Sequence, residues 1–208
     1  MRFRAVALGA LLLFGLLAAQ VLATGELTRI DRAVTLFLAS HRQGWLTQLT
    51  LWTSELHETV KLLAATALVA AGLAWRGHAA WAWRLGAVPT GMLLNVALKH
   101  LFQRARPQLD EPLVQLATYS FPSGHGMAST VFYGSLALLV LAHTDRRVLR
   151  VLAVLGAVAM IAWVCFCRVY LGAHHVSDVL AAVCVGVAWL VLWGAAVGRF
   201  APPERSVA

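Results

Sequence analysis

The sequence predicts an all-α integral membrane protein: six transmembrane helices in one bundle, with an interfacial amphipathic helix after the first span. Three observations carry that expectation. Hydrophobic residues fill 60% of the 208 positions and charged residues only 12%, outside the range of soluble domains. Mean hydropathy is +0.74. The apolar residues also come in blocks, at 5–23, 62–75, 85–98, 127–142, 149–166 and 176–197, separated by short polar stretches. A bilayer-spanning helix needs roughly 20 mostly apolar residues. The blocks starting at 62, 85 and 127 borrow flanking residues to reach that length.

The first block follows Arg2 and Arg4 and ends on Val21-Leu22-Ala23. Those flanks would also suit a cleaved signal, but the run is longer than a signal core, so a retained anchor is expected. After it, Leu27, Ile30, Val34, Phe37 and Leu38 recur at helical spacing, with Glu26, Arg29, Asp31 and Arg32 between them. That pattern fits a helix lying in the interface or capping the bundle. Trp45, Trp52, Trp75, Trp81 and Trp83 fall near span ends, where indoles anchor. Pro107 opposes continued helix, so the third span should end close to Arg106.

Net charge is +8, yet the arginines are scattered between apolar blocks and form no nucleic-acid surface. Clusters at Arg76/Arg84, Arg146/Arg147/Arg150 and Arg199/Arg205 suit cytoplasmic loops and termini facing anionic lipid. The positive-inside rule is only weakly satisfied by the whole chain. Cys165, Cys167 and Cys184 lie in or beside the last two spans, with neither disulfide nor zinc spacing. They are expected to be small packing residues.

Three polar clusters interrupt this apolar background. They read Lys99-x6-Arg106-Pro107, Pro122-Ser123-Gly124-His125 and Arg168-x5-His174-x3-Asp178. Charges and imidazoles at membrane depth need a functional reason. Counting spans, all three clusters fall at one side of the membrane. Lys99 and Arg106 are seven apart, so two helical turns would align them on one face. Ser123 suits a helix N-cap, and Gly124 lets backbone N–H groups approach an anion at the helix start. Arg168 offers a planar fork for phosphate oxygens. His174 and His175 both lie within helical reach of Asp178, and local spacing does not choose between them. A carboxylate there would fix an imidazole tautomer for nucleophilic attack.

These clusters resemble the signature of the type-2 phosphatidic acid phosphatase family, which shares its active site with the vanadium haloperoxidases. The match is strict over residues 99–178, and the six-span layout extends it across a single domain, 1–208. The resemblance implies that His174 is the nucleophile, that Asp178 orients it, and that His125 protonates the leaving oxygen. It further implies that Lys99, Arg106, Ser123, Gly124 and Arg168 hold the phosphoryl oxygens, with no metal or cofactor. Cys167 stands where the family usually has serine.

The resulting expectation is a metal-independent lipid phosphatase working through a phosphohistidine. Its candidate substrates are undecaprenyl diphosphate, phosphatidylglycerophosphate and phosphatidate. It would sit in a bacterial-type plasma membrane, the site extracytoplasmic and the termini inside. A phosphotransferase with the same phosphohistidine is the alternative enzyme, and a lipid-phosphate transporter or binder the alternative outside catalysis. A metal site from His125, His174, His175 and Asp178 would put a cation among three basic residues that repel it.

Overall fold

The computed structural model describes residues 2–114 and 116–200. Met1, Gln115 and residues 201–208, including Arg205, lie outside the described residues. All regular elements described are helical: α1 (Arg2–Leu22), α2 (Glu26–Ser40), α3 (Gly44–Leu56), α4 (Thr59–Trp75), α5 (Ala79–Leu85), α6 (Ala87–Phe102), α7 (Gly124–His143), α8 (Arg147–Tyr170) and α9 (Val176–Phe200). Each expected apolar block falls within this set. Five helical segments are long and apolar enough to cross a membrane, α5 and α6 together counting as one. The α3–α4 pair, bent by 53°, brings the count to six if it is one span. α4 alone is short for a span. α4 has 17 residues, about 25 Å at 1.5 Å per residue, and falls short of a hydrocarbon core of roughly 30 Å.

The bundle packs around α7 and α9. Gly126 on α7 faces Ala182, where an added Cβ would lie 3.1 Å away, and Gly186 on α9 faces Thr130 just as closely, at 2.9 Å. Small residues thus bring the two backbones together, the usual device where lipid supplies no hydrophobic drive. Val88, Met127, Val131 and Ala182 form the central core, while α1 adds Ala18 and Val21 beside Phe121 and Ala181. Leu12, Leu16, Leu68, Leu152 and Leu155 point outward, as a lipid-facing surface requires. All three cysteines are free and buried.

α2 combines the two roles open to it. Val34 and Leu38 pack against α8 and α9, whereas Ile30 and Phe37 are exposed. Asp31, expected on a solvated face, is instead fully buried. The expected end of the third span also shifts. α6 stops at Phe102, because Gln103 takes a left-handed conformation with φ 48° and reverses the chain. Lys99 and Arg106 therefore do not share a helix face. Arg106 stands in the connection between α6 and α7.

Candidate active site

One end of the bundle gathers the C-terminal end of α6, the N-terminal end of α7, the C-terminal end of α8 and the start of α9. Antiparallel packing brings these termini together, and the three polar clusters with them. A cavity of about 220 Å³ lies there, and its walls include Lys99, Arg106, Gly124, His125, Arg168 and His174. Asn95, Met92, Val96 and Leu116 complete much of the lining, giving the polar centre an apolar flank. His175 lines a different cavity. The two adjacent histidines, equivalent in sequence spacing, thus face different surroundings.

Ser123 and Asp178 stand behind this wall. Ser123 is fully buried, and its hydroxyl accepts a hydrogen bond from the Gly126 N–H at 3.3 Å, capping α7. Its own N–H donates to the Asp178 carbonyl at 3.0 Å, which ties the start of α7 to the start of α9. Gly124 is at the cavity, and an added Cβ would come 3.4 Å from the Asn95 amide oxygen and 4.0 Å from Lys99 Cε.

Carbonyls and hydroxyls hold the cations in place. Lys99 Nζ donates to the Tyr119 carbonyl. Arg106 donates through Nε to the Thr118 carbonyl at 2.7 Å and through Nη1 to the Ala173 carbonyl at 2.6 Å. Arg168, only 2% exposed, donates to the Ser54 hydroxyl, and its buried Nε has no partner among the described residues. Among the described residues, none of the three is paired with a carboxylate. Burial lowers the Arg106 guanidinium from its usual 12.5, with nearby Asp178 partly opposing the effect.

His174 is buried, with Nε2 lying 3.3 Å from Arg106 Nη1. A guanidinium N–H only donates, so the ring nitrogen facing it carries a lone pair and the proton sits on Nδ1. That Nδ1 is 3.5 Å from Asp178 Oδ2. Burial pushes the His174 pKa down to about 3, although Asp178 pulls it upward. The ring is neutral at neutral pH, with its lone pair toward the cations. His125 Nε2 lies 3.1 Å from the Ser54 carbonyl, which can only accept, so this nitrogen carries a proton.

Asp178 is held on several sides. Arg104 Nη1 donates to Oδ1 at 2.5 Å, and Ser120 Oγ and the His175 N–H donate to Oδ2, the latter at 2.8 Å. Arg104 Nη2 also reaches Asp31 at 2.9 Å, and Asp31 accepts from the Ser177 N–H at 2.9 Å. The sequence reading missed Ser54, Arg104, Asp31 and Ser120. Arg104 carried one signal, a charge just inside the expected end of the third span. Asp31 and Ser54 carried none, because their partners lie far away in sequence. Among the described residues, no three histidines, cysteines or carboxylates converge to form a metal site.

A family model described as the PAP2 superfamily matches residues 80–200. Phosphatidylglycerophosphatase B of Bacillus subtilis (strain 168) is 30% identical over 185 residues, covering 85% of this chain and 88% of that protein. Among solved structures, the chain is similar to a transmembrane PAP2-type phosphatidylglycerolphosphate phosphatase from Bacillus subtilis, with a TM-score of 0.84 and 27% identity. That match covers 97% of this chain and 98% of the other.

Proposed function

The chain belongs to the PAP2 superfamily and is a multi-pass membrane lipid phosphate hydrolase, and from that premise we propose that it removes the terminal phosphate of phosphatidylglycerophosphate through a phosphohistidine on His174. The observation that carries the proposal is the lone pair of His174 Nε2, turned toward Arg106 on a wall shared with Lys99, His125 and Arg168. The names of the similar Bacillus proteins favour this headgroup over phosphatidate or undecaprenyl diphosphate.

In the first step Nε2 attacks phosphorus, and the bond from phosphorus to the headgroup oxygen breaks. Lys99, Arg106, Arg168 and the Gly124 backbone hold the phosphoryl oxygens as charge shifts onto the leaving oxygen. Ser123 supports them by fixing the first turn of α7. His125, entering as the imidazolium, gives the leaving oxygen its Nδ1 proton and is left neutral, while its Nε2–H stays on the Ser54 carbonyl. The positive charge that develops on His174 lies beside Asp178. Water then attacks phosphorus, His125 takes its proton, the P–N bond breaks and inorganic phosphate leaves. The protein's own cations supply the positive charge throughout.

The membrane would be a bacterial-type plasma membrane, with the site on the extracytoplasmic side, the termini inside and the whole chain acting as one domain. The test is phosphate release by the purified protein in detergent from phosphatidylglycerophosphate, phosphatidate, lysophosphatidate and isoprenyl diphosphates. Phosphatidylglycerophosphate should give the highest kcat/KM. A higher value for an isoprenyl diphosphate would overturn the substrate, and full turnover by His174→Ala would overturn the mechanism.

A further inference from the structure

Arg106 lines two cavities. The second, about 360 Å³, is walled by Thr28, Arg32 and Thr35 of α2, by Gln108, and by His175. Among the described residues, no carboxylate lines it. Two of its polar atoms, Thr28 Oγ1 and His175 Nδ1, are buried and have no hydrogen-bond partner among the described residues. Orphaned buried groups of this kind each cost roughly 1–3 kcal/mol, so native proteins seldom leave them without a ligand or water. The charges on α2 differ in the same way. Arg29 pairs with Glu26 at 2.8 Å, whereas Arg32 has no acidic partner among the described residues.

Two arginines, a histidine, two hydroxyls and an amide around an acid-free cavity are chemistry for an anion with several acceptor oxygens. We propose that this cavity is a second phosphate subsite, joined to the catalytic cavity through Arg106. It takes either the second phosphate of a doubly phosphorylated lipid headgroup or inorganic phosphate leaving the catalytic cavity. The inference rests on the phosphatase reading, because that reading puts a phosphate at Arg106. It also gives α2 a task that packing alone does not require: its Arg32 faces the subsite while its Asp31 is held by Arg104 beside Asp178.

Arg32→Gln tests it, with Arg29→Gln as the control. Both substitutions remove one charge from an exposed position of the same helix, and only Arg32 lines the cavity. If the subsite takes the lipid's second phosphate, Arg32→Gln raises KM for phosphatidylglycerophosphate about tenfold and leaves KM for phosphatidate unchanged. If it takes released phosphate, inhibition by inorganic phosphate weakens about tenfold with either substrate. In both cases kcat on phosphatidate stays at the wild-type level. Arg32→Gln matching Arg29→Gln in all three quantities would overturn the proposal, as would an equal rise in both KM values with unchanged phosphate inhibition. Wild-type turnover tests the catalytic reading independently of these comparisons.

Discussion

A histidine shut away from water resists taking a proton, and His174 is held neutral down to about pH 3 mainly for that reason. Unfolded, the same ring titrates near 6.5. Between those values the unfolded chain binds the extra proton, so the ring's contribution to stability is fully present above pH 6.5 and is lost as pH falls toward 3. Melting of the purified protein in detergent should therefore drop between pH 6.5 and 4. The drop should be shallower for His174→Ala, and identical slopes would show that the ring does not titrate this way. The same substitution should lower kcat by roughly 10³-fold or more, since a missing nucleophile has no local substitute. Arg104 is a different case. It sits between the buried carboxylates of Asp31 and Asp178, and replacing it with alanine leaves both uncompensated. A loss of about 3–5 kcal/mol is expected, read as a lowered denaturation midpoint.

Elements differ in how plainly the sequence announces them. The six apolar blocks were legible because polar residues gather between them, though three needed flanking residues to reach a span, and the three clusters because their spacing is local and fixed. α3 was not, since its residues look like a polar link with two tryptophans. Its Ser54 nevertheless touches both Arg168 and His125, pairings 114 and 71 residues apart that no local pattern encodes. The end of α6 was misjudged for a related reason. Pro107 marks where helix cannot continue, but Gln103 turns the chain earlier, and glutamine is not a residue that advertises a left-handed turn. The reversal after α8 is more explicit. Gly172 has φ +72°, and an added Cβ would strike Leu109. Gly172→Ala should cost about 1–2 kcal/mol for the backbone alone. That corresponds to a melting point lower by roughly 2–8 °C. Because this turn joins Arg168 to His174, kcat should fall as well. Unchanged melting and turnover would mean that the turn relaxes without moving either residue.

The whole molecule has two chemically distinct ends. The cavity proposed as catalytic opens where α6 and α8 finish and α7 and α9 begin, while Arg84 and Arg150 lie at the opposite end, around the far halves of α7 and α9. An odd number of crossings between the 103–123 and 144–146 connections, here α7 alone, sets those two loops on opposite sides of a membrane. Charge decides which is which only weakly in this chain, because the arginines lining the polar cavity offset the loop arginines in any count. Chemical labelling can settle it, helped by the fact that Cys165, Cys167 and Cys184 are all buried and leave a quiet background. Asp110 and Asp145 are exposed, one in each loop. In intact bacterial cells, Asp110→Cys should react with a membrane-impermeant maleimide, and Asp145→Cys only after the membrane is opened. The reverse pattern would put the phosphatase site in the cytoplasm. Lipid phosphate would then have to be cleaved at the inner leaflet, with Arg84 and Arg150 facing outward against the positive-inside preference.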